Sequence, residues 1–333
     1  MSLVSGNGET GGKLAAEGRS KTQMKTGESA QEELFAYKGH MSYIGRAICA
    51  LRGIKMSNKY NSQSKTLGPR AAQLLTELYE RRRLTFNLED VQSITGLQAA
   101  SARSLVRKAA QRGLITRLKS GLYNLVPFEL GRATEHVGNP YLIAGEVVGK
   151  APYFLSHGTA LELHRMVTQP SLTMFVSCTR RIRPQVIGGY DFRFIHVGKA
   201  QMFGEIKYWV TKEHPVIISD MERTIIDCLR RPEFAGGVTE IAKGLWMKRE
   251  TINVERLVGY AVRLNVGAVS RRLGYLLEHY EMASERELQP LSDQLTATYQ
   301  RMDPLLPHEG TFISRWRLQL NVNSEELDAV RFE

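Results

Sequence analysis

The sequence has few cysteines and no long apolar run. Its three cysteines, Cys49, Cys178 and Cys228, are widely separated and odd in number. This argues against a disulfide framework or a cysteine-bound zinc ion and favours a reducing compartment. No stretch approaches the roughly 18 apolar residues of a membrane span, and the first residues lack the apolar core of a secretory signal. We therefore expect a cytoplasmic protein that does not contact a membrane.

Nucleotide-binding and metal-binding motifs are incomplete. The segment GNGETGGK (6–13) departs from a phosphate-binding loop, because no predicted strand precedes it and Leu14 stands where serine or threonine is required. His157 and His164 lie on one predicted helix, but no third ligand joins them at the spacing of a metal site. We predict that the protein has no metal and no other cofactor.

Three carboxylates, Asp220, Glu222 and Asp227, cluster in the segment SDMERTIIDCL (219–229). A pair of them could hold a metal ion. The same pattern is typical of a capping box, in which Ser219 caps a helix and Glu222 reaches back to the helix start. The capping interpretation explains the acidic residues without a metal ion or a substrate, and we therefore predict no catalytic residue.

Positive charge is concentrated in the first part of the chain. Residues 1–138 carry 21 Lys and Arg against 11 Asp and Glu, whereas residues 139–333 carry 24 against 23. A basic end joined to a nearly neutral end is typical of a protein that binds a polyanion through one part only. The chain of 333 residues is also longer than a domain with a single hydrophobic core usually is, so we expect more than one domain.

The chain divides into three predicted regions of an α+β protein. Residues 1–66 are polar and show little periodicity, which predicts a mobile basic extension. Residues 67–130 have the order helix, helix, tight turn, helix and hairpin, which predicts a winged helix-turn-helix DNA-binding domain. Its helices are predicted at about 69–81, 87–96 and 98–112, and its strands at 114–118 and 122–126.

The third region, residues 139–333, is predicted to be a mixed α/β domain with a helical C-terminal half. A helix capped by Ser156 precedes four strands, and more helices follow. The alternating segment RWRLQLNV (315–322) predicts either a half-buried strand or an extended closing segment. The four strands are predicted at 172–178, 192–197, 205–210 and 215–219. The helices are predicted at 156–166, 220–230, 238–247, 254–265 and 268–281.

The third helix of the predicted winged helix has one apolar and one polar face. Its apolar residues would pack on the first two helices. Small and hydroxyl side chains on the other face allow close approach to base edges, and arginine and lysine reach phosphates or guanine. The helix residues that we predict to contact DNA are Ser101, Arg103, Ser104, Arg107 and Lys108.

The predicted hairpin adds a second basic element beside that helix. Arg117 and Lys119 lie near its turn, Ser120–Gly121, and could reach the DNA backbone. A solvated helix face with a purely structural hairpin is the alternative interpretation. The tight turn, the hairpin and the basic half of the chain together favour DNA binding.

Four segments of the second half follow the order and spacing of a known family. They are YFLSHGTALELHRM (153–166), ISDMERTIIDCLRRPEFAGGVTEIAKGLW (218–246), RRLGYLLE (271–278) and RWRLQLNV (315–322). With the predicted winged helix in front of them, they resemble the AbiEi antitoxin family of abortive-infection toxin–antitoxin systems. The resemblance covers about residues 67–322, and no short catalytic signature belongs to it.

The resemblance implies an antitoxin with two parts. The winged helix would repress its own operon by binding inverted repeats in promoter DNA, where two copies could meet. The second domain would neutralise a nucleotidyltransferase-type toxin encoded next to it. The implied DNA contacts are Ser101, Arg103, Ser104, Arg107 and Lys108 on the helix and Arg117 and Lys119 on the wing. The resemblance identifies no toxin-contact residue.

Two other functions remain open at this point. The first is a transcription factor whose second domain senses a small ligand, which would need a pocket with converging polar groups. The second is an antitoxin that chemically modifies its toxin or a nucleotide, with Asp220, Glu222 or Asp227 as the catalytic groups.

Overall fold

The structure is a computed structural model that describes residues 67–167 and 171–332. The predicted extension, residues 1–66, lies outside the described residues. The described residues have a mixed α+β fold and belong to one compact unit that spans residues 59–333. Within these two stretches, no helix is long and apolar enough to cross a membrane.

The first part of the described chain contains three helices and a small sheet. Its elements are α1 (Pro69–Glu80), β1 (Thr85–Asn87), α2 (Leu88–Thr95), α3 (Ala99–Gln111), β2 (Ile115–Lys119) and β3 (Leu122–Leu125). β3 lies between β1 and β2 and pairs antiparallel with both. The predicted helices and hairpin strands are present with bounds that differ by one or two residues. β1 is an addition that the sequence did not predict.

Local contacts fix both ends of α2. Oδ1 of Asn87 accepts from the backbone N–H of Asp90 at 3.0 Å, and Oδ2 of Asp90 accepts from the N–H of Asn87 at 2.8 Å. This is a capping box, which satisfies two donors at the helix start. Gly96, with a φ of 67°, ends the helix in the left-handed region that glycine adopts without a Cβ penalty. The predicted cap and end of α2 are confirmed, and the tight turn into α3 follows from them.

The second part begins with a six-stranded sheet and two helices. Its elements are α4 (Pro140–Val148), β4 (Tyr153–Leu155), α5 (His157–Leu163), β5 (Thr173–Cys178), β6 (Gln185–Ile187), β7 (Tyr190–His196), β8 (Glu205–Trp209) and β9 (Pro215–Ser219). The strand order is β6-β7-β5-β4-β9-β8. β5 runs parallel to β7 and β4 runs parallel to β9, whereas the other neighbours are antiparallel. Helix α4 packs its apolar residues on this sheet.

Helices and a small sheet form the rest of the second part. Its elements are α6 (Met221–Arg230), α7 (Val238–Met247), α8 (Val254–Leu264), α9 (Gly267–His279), α10 (Glu285–Ser292), β10 (Gln300–Arg301), β11 (Thr311–Ile313), β12 (Leu318–Leu320) and α11 (Ser324–Ala329). Short 3-10 helices occur at Phe128–Leu130, Lys199–Gln201, Pro232–Phe234 and Val330–Phe332. Trp316 is fully buried against Gly274, where a Cβ atom would lie 2.1 Å from the indole ring. Only glycine permits this close approach of ring and helix.

Two predicted helix caps are wrong. Helix α6 is capped by Asp220, whose Oδ1 accepts from the N–H of Arg223 at 2.7 Å, and not by Ser219. The negative charge of aspartate also suits the positive end of the helix dipole. Ser156 precedes α5 but does not cap it, because its hydroxyl contacts Nδ1 of His157 at 2.9 Å.

Candidate nucleic-acid interface

The exposed face of α3 carries the basic residues that the sequence predicts to contact DNA. Ala102, Val106 and Ala109 are buried in the core with α1 and α2. The helical repeat then leaves the opposite face to solvent. Ser101, Arg103, Arg107 and Lys108 are exposed, and Ser104 is half-buried.

The cations on this face are unpaired. Arg103, Arg107 and Lys108 make no side-chain hydrogen bond or ion pair with any residue that the structure describes. Arg81, at the end of α1, differs because it forms an ion pair with Glu77 at 2.5 Å. Exposed cations without a protein partner can neutralise phosphates and release the counterions of DNA, which is the main source of affinity for a nucleic acid.

Arg112 extends this face and was not predicted. It is exposed and has no side-chain partner in the described part of the chain. With Lys108 it lines a groove of about 240 Å³ beside Pro69. Helix α1 begins there without a side-chain cap from any described residue, and uncapped N–H groups at a helix start can bind an anion. The spacing of four residues from Lys108 is the sequence signal that would have identified Arg112.

The two predicted wing residues have different surroundings. Arg117 is exposed and has no partner among the described residues. Lys119 is half-buried, and its Nζ donates to Oε1 of Gln185 at 3.2 Å. Burial, together with the nearby Arg180, lowers the pKa of Lys119. The hairpin therefore presents Arg117 to solvent, whereas Lys119 contacts the second part of the chain.

The hairpin packs on the six-stranded sheet. Leu122 is buried in the same apolar cluster as Ile187 and Phe192, and Leu118 packs against that cluster. Burying apolar side chains between two parts of a chain favours one fixed arrangement over independent motion. The part of the chain that carries α3 and the hairpin is thus joined to the second part by a shared apolar core as well as by the linking segment.

A cleft of about 340 Å³ separates the end of α1 from the second part. Ion pairs bound it: Arg82 with Glu213 at 2.8 Å, and Arg83 with both Asp90 at 2.5 Å and Glu146 at 3.3 Å. Burial raises the pKa of Glu146, and the Arg83 charge opposes this rise. Arginines of the first part therefore form ion pairs with glutamates of the second part across this cleft, the junction of the two parts.

The three carboxylates of residues 219–229 have structural partners. Asp220 caps α6, and Oε1 of Glu222 accepts from Arg256 at 3.0 Å. Asp227 forms a fully buried ion pair with Arg223 at 3.0 Å. Burial raises the pKa of Asp227, while Arg223 lowers it.

The two histidines of the predicted helix do not approach a common ligand. Nε2 of His164 contacts the backbone carbonyl of Ser219 at 2.7 Å. His157 is buried, and burial lowers its pKa to about 3, with nearby arginines adding to the effect. Within residues 67–167 and 171–332, no group of three or more His, Cys, Asp or Glu side chains could hold a metal ion.

Comparison with known proteins identifies a likeness in fold. No family model matches the chain, and no curated protein matches it. The chain is similar to the crystal structure of the RV2827C protein from Mycobacterium tuberculosis, with a TM-score of 0.58 and 15% sequence identity. The match covers 80% of this chain and 96% of that chain. At this identity, the likeness establishes a shared fold alone.

Proposed function

We propose that the chain is a DNA-binding antitoxin that represses its own operon and has no enzymatic activity of its own. In this proposal, residues 67–130 form a winged helix-turn-helix that binds inverted repeats in promoter DNA. Residues 139–333 neutralise a nucleotidyltransferase-type toxin. The observation that carries the DNA-binding half is the row of exposed cations on α3 that have no partner among the described residues.

The order of elements supports a recognition role for α3. A short helix and a three-residue turn precede it, and an antiparallel hairpin follows it. An exposed helix of this kind fits the major groove, where arginine binds guanine edges or adjacent phosphates. Arg103 and Arg107 are the candidates for these contacts on α3, and Arg117 is the candidate wing contact.

The antitoxin half of the proposal rests on the four sequence segments of the resemblance. The two alternatives have less support. A modifying enzyme would use Asp220, Glu222 or Asp227, but each of these carboxylates already binds a structural partner. A ligand sensor would use the cleft at the junction, but its arginine and glutamate side chains are paired with one another.

Gel-shift titration of promoter DNA tests the DNA-binding half. We expect Arg107→Ala to weaken binding by about 1–3 kcal/mol, because a base or phosphate contact is lost. Arg286→Ala is the matched control, since Arg286 is also exposed, helical and without a partner in the described residues. Equal affinities of Arg107→Ala and the wild-type protein would remove α3 from the interface.

Growth rescue tests the antitoxin half. The neighbouring nucleotidyltransferase-like gene is induced with and without the full-length chain, and the intact mass of the toxin is measured in both cultures. Rescue with an unchanged toxin mass supports neutralisation without modification. Rescue with an added or removed chemical group would instead support the enzymatic alternative, and the lack of rescue of a demonstrably toxic neighbour would remove the antitoxin role.

A further inference from the structure

The small C-terminal sheet has an outward face of aromatic and basic side chains. Arg301 on β10 and Phe312 on β11 both lie opposite Gln319 on β12, and residues directly opposite in a sheet project to the same face. The neighbouring Leu318 is fully buried, so the face of Gln319 points outward. Tyr299 directly precedes β10 and Arg317 directly precedes β12, and the two side chains contact each other. We name this surface, formed by Tyr299, Arg301, Phe312, Arg317 and Gln319, the aromatic–arginine face.

Large apolar rings are open to solvent on this face. Phe312 is 61% exposed and Tyr299 is 36% exposed. Their rings meet at 88° with a centroid distance of 5.1 Å. The Arg317 guanidinium lies 5.7 Å from the Tyr299 ring centroid, and its Nη1 donates to the Tyr299 hydroxyl at 3.5 Å. Aromatic rings interleaved with arginine are the composition of binding hot spots in protein interfaces.

Hydrogen bonds and a buried side chain stabilise the turn that contains Arg317. The N–H of Arg317 donates to the carbonyl of Ser314 at 3.3 Å. The adjacent Trp316 is fully buried, and its indole N–H donates to Glu278. Arg317 itself has a φ of 47°, which non-glycine residues adopt at a cost and which recurs at binding sites. The buried Trp316 and the hydrogen bond to Ser314 therefore fix the backbone of the turn from which Arg317 extends.

The two arginines of the face are not neutralised. Neither Arg301 nor Arg317 forms an ion pair with a carboxylate among the described residues, whereas the neighbouring Arg315 pairs with Glu278 at 3.1 Å and with Glu285 at 2.9 Å. The face therefore combines exposed rings with two uncompensated positive charges. A partner that supplies carboxylates would neutralise these two charges by forming ion pairs with them.

We propose that the aromatic–arginine face docks a protein surface that places carboxylates opposite Arg301 and Arg317, and that this surface belongs to the toxin. The inference rests on the proposed antitoxin function and names its contact site. The surroundings favour a protein over a nucleic acid, because residues 285–332 carry five Lys and Arg against eight Asp and Glu. A polyanion would meet this net negative charge along its whole length, whereas a few carboxylates on a protein would meet only Arg301 and Arg317. A second copy of the chain is disfavoured because a two-fold contact through this face would bring both copies' arginines together and supply no carboxylate to either of them.

Two substitutions in the full-length chain test the proposal. Arg317→Glu reverses the charge, and Phe312→Ala removes the exposed ring. Lys212→Glu and Met247→Ala are matched controls, because Lys212 is exposed without a described partner and Met247 is an apolar residue with 49% exposure. Pull-down on immobilised toxin, growth rescue and operator gel shifts are measured for all four variants and for the wild-type protein.

We expect each of the two face variants to bind toxin about thirtyfold more weakly, the loss typical of a hot-spot residue, and to rescue growth poorly. Operator affinity should stay at the wild-type level, which also demonstrates that the variants fold. The controls should bind and rescue like the wild-type protein. If the wild-type protein rescues and both face variants rescue equally well, the docking site is wrong while the antitoxin function stands.

Two further results would also overturn the proposal. The first is a wild-type chain that fails to rescue, which removes the antitoxin function on which the inference rests. The second is a wild-type chain that binds single-stranded RNA through this face, seen as a loss of RNA affinity in Arg317→Glu with no change in toxin binding. That result would assign the face to base stacking.

Discussion

The salt dependence of operator binding gives the sharpest test of the α3 interface. Five exposed cations on and around α3 lack a described partner: Arg103, Arg107, Lys108, Arg112 and Arg117. If each neutralises one phosphate, log K should fall with log salt concentration with a slope of about −4.5 per bound protomer. Between 50 and 200 mM salt, this slope predicts a loss of about 500-fold in affinity.

Single alanine variants divide these five residues by the kind of contact they make. Replacing a phosphate contact should reduce the slope by about 0.9 and weaken all DNA sequences alike. Replacing a base contact should instead reduce the preference for one base by about 1–3 kcal/mol, with a smaller change in slope. We expect Arg112→Ala to behave as a phosphate contact, because it lies beside the uncapped start of α1.

Fluorescence anisotropy at five or six salt concentrations measures these slopes on a single half-site. Lys119→Ala should leave the slope nearly unchanged, because Lys119 already donates to Gln185. A wild-type slope close to zero would refute the reasoning, since unpaired cations that contact DNA must release counterions. A Lys119→Ala slope reduced as strongly as that of Arg117→Ala would mean that the wing leaves the second part when it binds DNA.

Three predictions concern stability and are measured by chemical denaturation. Asn87→Ala should cost about 1 kcal/mol because the capping box of α2 is lost, and Asn87→Asp, which keeps an acceptor, is its control. Leu122→Ala should cost about 2–5 kcal/mol because Leu122 is buried in the cluster shared with the six-stranded sheet, and a loss below 1 kcal/mol would contradict that packing. The pKa of His157 is about 3 in the folded chain and about 6.5 in the unfolded chain. As pH falls below about 6.5, His157 therefore binds a proton in the unfolded chain only, and the free energy of unfolding decreases down to about pH 3. Between pH 7 and pH 5 this group alone removes about 2 kcal/mol. His157→Asn, which tolerates the φ of 50°, should flatten that decrease, and an unchanged pH profile would show that other groups cause it.

The sequence predicted the helices of this fold better than its short strands. Helix α7 was predicted with its observed bounds, and α3 within one residue, because their apolar residues repeat at helical spacing over ten or more positions. β1, β4, β6, β10 and β11 were missed, because two or three residues are too few to display alternation. Such strands are defined by the partners they pair with, which lie far away in the chain.

The exposed cations of α3 were also predictable, because the apolar face of the helix fixes which residues point outward. The surroundings of Lys119 were not predictable. Its position near the hairpin tip suggested a free basic side chain, but its partner, Gln185, lies 66 residues further along. The aromatic–arginine face was hidden for the same reason, since the register of three short strands brings Arg301 and Phe312 together across Gln319.

The packing of the hairpin on the sheet bears on how the two proposed activities can be separated. A cut at about residue 135 would leave Leu122 in one fragment and its neighbours Ile187 and Phe192 in the other, so each fragment would expose apolar surface. Loss of activity in such fragments could reflect misfolding as well as a missing site. Substitutions at exposed positions, such as Arg107 for DNA and Arg317 for the partner protein, leave that shared core intact. They are therefore the more direct way to separate repression from neutralisation.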